Sequence, residues 1–331
     1  MSKFKTWKKY LRKITSYMDD QQIRGKISFL RIFLDICWCN VRYGSTISDY
    51  FLFRFYKKNH LGRKEFMTAK DKRRFYAAVN DKVLRYDVQN KDVFNEKFAE
   101  YIKRDFICIP ECSVDEFKTF VNNHGSVFVK PIGTGGGEGI LKISSNDENL
   151  VDIYNSVCAK GMCVVEAAII QHHELAALHP QSLNSVRITT FFDGENVKIL
   201  FAALRCGTGG SFVDNHMLNG IAMEVDVGTG KVSSRASSKK MLNIVRHPDS
   251  GVFLPGFQLP HWDKCLKLVN EVAHKTPGVH YVGWDIAITE DDVCLIEANP
   301  GGDFSMWQEP AQRGCKAQTD KLMEDLYTTK N

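Results

Sequence analysis

The sequence predicts an α+β protein in which a basic helical region precedes a mixed body of short strands and capped helices. Three observations predict it. Residues 1–85 show apolar side chains at helical spacing and no clear strand. From Ser113 onward, β-prone runs alternate with helices that carry start signals. Beyond Val186 the chain becomes strand-rich, with hairpin signals between paired runs.

In the first region Ile27, Leu30, Phe33, Leu34 and Cys37 recur at helical spacing, as do Phe51, Phe55 and Tyr56. Ser113-Val114-Asp115-Glu116 is a capping box, and Phe117, Phe120 and Val121 follow on one face up to the stop at Asn123-His124-Gly125. Val127 to Lys130 reads as a strand ended by Pro131. A glycine loop leads into a second strand, Ile140 to Ile143. Ser145-Asn146-Asp147-Glu148 reads as another capping box. It opens a helix with Leu150, Ile153, Tyr154, Val157 and Cys158 inward, closed by Gly161, before the strand Met162 to Glu166. Val186 to Phe192 and Val197 to Leu204 flank Asp193-Gly194, a hairpin signal. Ile221 to Val227 and a strand after Lys231 flank Gly228-Thr229-Gly230. A helix over 261–274 buries Trp262, Cys265, Leu266, Val269 and Val272. A last hairpin joins Val282–Ile288 to Val293–Asn299.

Composition narrows the class. The 331 residues are 44% hydrophobic and 25% charged, which excludes disordered and fibrous proteins. The most apolar stretch, Ile27 to Val41, is broken by Arg31 and Asp35 and falls short of the ~20 residues that a spanning helix needs. The basic start MSKFKTWKKY has no apolar segment behind it, so no signal peptide is expected. Ten scattered cysteines predict reduced thiols in a cytoplasmic protein, with a zinc site as the lesser alternative. The net charge of +5 hides an asymmetry. Residues 1–75 hold 19 Lys/Arg against 6 Asp/Glu, and the remainder 25 against 33. The basic segment is either a helical unit with solvated faces or a surface for anionic lipid or a lipid-linked substrate. No recognised nucleic-acid module is present, so nucleic acid is not an expected partner.

Three constellations bear on chemistry. Lys130 stands just before a loop in which five of the seven residues 133–139 are glycine: Gly133, Gly135, Gly136, Gly137 and Gly139, with Thr134 between. Such a loop is either a flexible hairpin tip or a phosphate cradle, and the lysine favours the cradle. It is neither a Walker loop nor a GxGxxG turn. Glu297 and Asn299 are two apart on a strand and share a face, and a hairpin over 290–292 sets Asp285 opposite Glu297. The three either mark a strand running into solvent or form an oxygen site suited to Mg²⁺. Arg187, on a strand with Thr189, and Arg205 are either salt-bridge partners or clamps for transition-state charge. His172 and His173 read as hydrogen-bonded structure or lip residues.

In chain order, Lys91, Lys130 with its loop, Glu166, Arg187, Asp285 and Glu297-Ala298-Asn299 resemble an ATP-grasp enzyme. Asn90-Lys91, Gln171-His172, Ser182 to Arg187, Val213-Asp214-Asn215, Gly283-Trp284-Asp285 and Ile296 to Pro300 resemble the sugar-transfer-associated ATP-grasp family, over roughly residues 25–325. The resemblance implies an ATP-grasp fold over 86–328, with a flap-bearing subdomain at 106–166 and a metal-binding subdomain at 167–328, after the helical region 1–85. It implies that Lys130 and Lys91 contact the nucleotide phosphates under the flap Gly133–Gly139. Glu166 leads into the adenine hinge, where Ala167 and Ala168 offer backbone groups, and Glu174 faces the ribose. Asp285, Glu297 and Asn299 hold Mg²⁺, and Arg187 lies near the γ-phosphate. The helical, basic start departs from the α/β domain with which many ATP-grasp ligases begin, so substrate recognition does not carry over.

The implied activity is an ATP- and Mg²⁺-dependent carboxylate–amine ligase working through an acyl phosphate. The expected substrates are a small-molecule carboxylate and an amine, with an amino-acid-like group joined to a sugar acid or a cell-surface glycan precursor, either lipid-linked or nucleotide-linked. Arg187, Arg205 and Lys130 carry the charge of the transition state. A phosphotransferase on the same fold and a non-catalytic nucleotide-binding scaffold are the alternatives. The expected place is the cytoplasm, at or near the inner face of the membrane.

Overall fold

The N-terminal helices build a core of their own. In this computed structural model, which describes residues 3–134, 139–215, 220–238, 242–302 and 304–329, they are α1 (Lys3–Asp20), α2 (Phe29–Tyr43), α3 (Ile47–Leu52) and α4 (His60–Lys64). Tyr17, Tyr50, Phe51, Phe53, Phe55 and Phe66 pack at its centre. Thr46 caps α3 through a reciprocal box with Asp49. The periodic set singled out around α2 is split: Ile27 and Phe33 pack against this core, and the rest face away from it. Ile32, Ile36 and Cys39 are buried, while Leu30, Leu34 and Cys37 are exposed.

Next come α5 (Ala69–Val79), α6 (Leu84–Gln89), α7 (Lys91–Lys97) and α8 (Ala99–Ile102). The first sheet holds β1 (Phe106–Ile109), β2 (Ser126–Pro131), β3 (Leu141–Ser144) and β4 (Cys163–Ala167). It is antiparallel throughout, in the order β1-β4-β2-β3. Helices α9 (Val114–His124) and α10 (Leu150–Cys158) cover one face, where Phe117, Val121 and Val157 meet Val127, Val129 and Val165. The box at Ser113 is present, with Gly125 closing α9. The second box is not. Asp147 instead accepts from the Ser144 N–H in a turn, and α10 starts later, at Leu150.

After α11 (His173–Ala176), the second sheet comprises β5 (Val186–Phe192), β6 (Val197–Cys206), β7 (Ile221–Val225), β8 (Tyr281–Ile288) and β9 (Val293–Asn299), in the antiparallel order β7-β6-β5-β8-β9. The segment after Lys231 makes isolated bridges rather than the strand expected there. Alternation sorts the faces. Val186, Ile188, Trp284 and Ile286 point into the core under α12 (Trp262–His274). The opposite face packs Phe201 and Tyr281 against α5, α13 (Phe304–Gln308) and α14 (Lys316–Thr329) at one end. At its other end it carries Arg187 and Asp285, directly paired across β5 and β8. The chain is thus α+β, two antiparallel sheets with a helical N-terminal region, as the sequence predicts.

The last hairpin is tighter than a simple count suggests. Ile288 pairs with Val293, and the register slips between Asp285 and Ile286 so that Asp285 faces Glu297. Ile296 is the extra residue of that bulge.

Candidate functional site

A cleft of about 420 Å³ separates the two sheets, a volume within the range of small-molecule sites. On β2, Val127 and Val129 go to the core, so Phe128 and Lys130 face the cleft. Lys130 Nζ donates to Glu166 Oε2 at 2.6 Å. Arg104 Nε donates to the same oxygen at 2.8 Å, and Asn95 Nδ2 to Oε1 at 3.1 Å. Burial opposes the charge on Glu166, but Lys130 and Arg104 outweigh it and hold the carboxyl at about 2. Arg104 also donates to the carbonyls of Leu295 and Ile296 on β9. It therefore fastens one sheet to the other at the cleft floor.

The loop after Lys130 is tied at its root. Lys91 Nζ donates to the carbonyls of Pro131 and Thr134 at 2.9 and 2.6 Å. Gly133 and Gly139 both have positive φ, and a Cβ at Gly139 would lie 3.2 Å from Pro131 Cγ. These two ends need glycine. Gly135, Gly136 and Gly137 lie outside the described residues.

The opposite wall is electrostatic. Asp285 is fully buried and shared by two arginines. Arg187 donates through Nε and Nη2, and Arg205 Nη2 lies 3.0 Å from Oδ2. Burial again opposes ionisation, yet Arg187 and Arg205 bring the carboxyl to about 2. Glu297 differs. Enclosure in the cleft wall and the charge of Asp285 beside it raise its pKa above the usual range, although 41% of its side chain is open to the cleft. Asn299 Nδ2 donates to it at 3.0 Å. Two carboxylates in contact with an amide beside them fit a hard divalent cation, which would relieve their repulsion.

The structure brings Lys91, Lys130, Thr134, Glu166, Ala167, Ala168, Arg205, Asp285 and Glu297 to one cleft. Arg187 sits behind Asp285, 5% exposed, and Arg205 takes the cleft-facing place. Gly283 permits this packing, since a Cβ there would lie 3.0 Å from Arg187 Cδ. Glu174 does not come to the cleft. Its N–H caps onto His172 Nδ1, and the short helix α11 leaves its side chain exposed. The N–H groups of Ala167 and Ala168 are already spent on the carbonyls of Asp105 and Ser126. A base lying there would take its N–H donors from Ile169 or Ile170, which also line the cleft.

Several contributors were missed by sequence reasoning. Arg104 and Asn95 carry no local signal. Asp214 does stand in one of the family-like segments. It accepts from the Ser185 N–H at 3.0 Å, and Ser185 Oγ accepts from Arg205 Nη2 at 2.6 Å. Asn184 is fully buried and binds the carbonyls of Leu175 and His179, so its side chain anchors a segment whose Ser182, Leu183 and Ser185 line the cleft. His173 pairs with Glu290 at the protein surface. All ten cysteines are free thiols.

Two antiparallel sheets clamping a cleft, a lysine at the root of a glycine loop, and an acid–arginine wall opposite define an ATP-grasp protein. The match to the sugar-transfer associated ATP-grasp family runs over residues 61–323, and the chain belongs to that family. No curated protein matches the sequence. Among solved structures, the chain is similar to the ATP-grasp ligase PsnB complexed with minimal precursor (TM-score 0.47, 12% identity, 74% of this chain and 62% of that one). It is also similar to D-alanyl-alanine synthetase A from Vibrio cholerae O1 biovar eltor (0.49, 13%, 74% and 66%). D-alanine–D-alanine ligase from Bacillus anthracis is a third (0.47, 12%, 75% and 69%). The chain spans about three-fifths of the length of the first of these.

Proposed function

We propose that this protein is an ATP- and Mg²⁺-dependent carboxylate–amine ligase. The observation that carries the reading is the convergence in one cleft of Lys130, held by Glu166, with Arg205 and the Asp285–Glu297 pair. Lys91 and Lys130 would bind the nucleotide phosphates beneath the glycine loop, and Ile169 or Ile170 would meet the base. Glu297, Asn299 and Asp285 would hold Mg²⁺, which neutralises phosphate charge when bound. Arg205 faces the cleft on a scaffold of Ser185 and Asp214, preorganised for charge that develops as the γ-phosphoryl group moves to a substrate carboxylate. Arg187 keeps Asp285 ionised and oriented. The amine then displaces phosphate from the acyl phosphate, and the loop excludes water meanwhile.

The family membership supports a sugar acid or cell-surface glycan precursor, lipid-linked or nucleotide-linked, as the substrate class, with an amino-acid-like amine. A cytoplasmic place fits free thiols and ATP use. The test is product analysis with ATP, Mg²⁺ and pools of nucleotide-sugar acids, amino acids and polyamines. ADP and phosphate formed only when acid and amine are both present is the expected result. ADP without phosphate would instead establish a phosphotransferase, and tight ATP binding without turnover across all pools a scaffold.

A further inference from the structure

The helix α2 has two apolar stripes, and among the described residues only one is buried in a core, although Trp38 of the other rests its ring against Tyr43 and Arg63. Ile32, Ile36 and Cys39 face the N-terminal core. Leu30, Leu34, Trp38 and Val41 form a second stripe at helical spacing and are 63%, 57%, 46% and 87% exposed. The stripe continues onto α1. Trp7 and Tyr10 are exposed there, and the Trp7 ring lies 6.0 Å from Phe33 of α2. An apolar face running along a helix of roughly 22 Å exceeds the scattered exposure of an ordinary surface.

Its surroundings are basic. Lys8, Lys9, Arg12 and Lys13 on α1, and Arg31 and Arg42 on α2, are all exposed. Residues 3–18 contain no acidic side chain. The one acid within α2, Asp35, turns away from the stripe to Arg63 at 2.8 Å and Tyr50 at 2.7 Å. No helix among the described residues is long and apolar enough to cross a membrane.

We propose that this face docks the protein on a bilayer rich in anionic lipid. Trp, Tyr and Leu would enter the headgroup boundary, while the lysines and arginines meet lipid phosphates. A second copy of the chain is the poorer occupant, because a two-fold contact through this face would oppose two like-charged clusters. The inference stands apart from the ligase reading, and its test does not use turnover.

The structure supplies the probe. Trp262, Trp284 and Trp307 are buried, so an emission change on docking reports Trp7 and Trp38. The full chain is titrated with phosphatidylcholine vesicles with and without phosphatidylglycerol, at low and high salt. The expected result is a blue shift and quenching by brominated lipid, with anionic vesicles only, reversed by salt. The triple variant Lys8→Gln/Lys9→Gln/Arg12→Gln should weaken partitioning roughly a hundredfold. Leu34→Ser/Val41→Ser, at two largely exposed positions, should weaken it at least about tenfold, followed by flotation, with a near-normal melting temperature. Absence of binding to anionic vesicles, or equal binding to neutral ones, would overturn the proposal. So would a dimer that Leu34→Ser/Val41→Ser dissociates, since it would show the stripe to be covered by a second copy.

Discussion

Replacing Glu166 with Gln tests the electrostatic floor of the cleft. The side chain keeps its shape and loses its charge, so Lys130 and Arg104 are left facing each other without the anion between them. Glu166 titrates at about 2, against an ordinary value of 4.5. That difference corresponds to roughly 3 kcal/mol of native-state preference for the carboxylate. The sign follows from the depressed pKa. The contribution is complete above pH 4.5 and is lost as the pH falls through about 2. Urea denaturation of both proteins over a pH series is the assay. At pH 7 the variant should be less stable by about 3 kcal/mol, and the gap should close as the pH falls from about 4.5 toward 2. Asp285 is held equally low by its arginines, so both proteins keep an acid limb and only their difference is diagnostic. A gap that stays constant with pH would refute the argument, because packing and not charge would then be responsible.

The two arginines should separate by phenotype. Arg205→Ala is expected to cut turnover by roughly 10²–10³-fold and to destabilise the fold less, whereas Arg187→Ala removes the two-nitrogen clamp on buried Asp285, leaving it Arg205 alone, and should cost about 3–5 kcal/mol in denaturant unfolding. Glu297→Gln removes a like-charge contact with Asp285. It should leave the melting temperature of the metal-free protein unchanged or raised, while Mg²⁺-dependent turnover falls at least about a hundredfold. Lys91→Met frees the root of the glycine loop and should speed its cleavage by a protease, with ATP protecting less than in the parent; equal protection would place the lysine outside the nucleotide site.

The sequence was most legible where local rules decide. The Ser113 box, the Asp193-Gly194 hairpin and most of the inward set of α12 need only short-range chemistry and are present, with Leu268 buried in α12 where Leu266 is half-buried. It was least legible where packing decides. Helical period reveals that α2 has apolar stripes but cannot say which one finds a core. Ser145 to Glu148 has the letters of a cap, yet Asp147 closes a turn back to Ser144 and the helix starts beyond it. Glu174 looks close enough to the hinge to meet a ribose, but as the second residue of the short helix α11 it points to the surface. Arg104 reaches Glu166 from 62 residues away and the β9 carbonyls from 191, which no spacing rule anticipates.

The bulge at Ile296 ties these levels together. Continued from Ile288–Val293 without a slip, the register would set Asp285 opposite Ile296 and send Glu297 to the other face. One extra residue restores the carboxylate pair and also bends β9 where Arg104 takes the carbonyls of Leu295 and Ile296. The acid pair would be costly if both members stood alone. Asp285 is committed to Arg187 and Arg205 and stays ionised, while Glu297 is left to the open cleft with a raised pKa. One acid is thereby fixed in place, and the other is free to turn toward a cation that both would hold on the reading proposed above. Arg205, pinned by Ser185 and Asp214, is oriented before any ligand arrives. On the ligase reading proposed above, preorganisation of this kind would set the charged groups to meet phosphate charge, and the strand register sets their spacing.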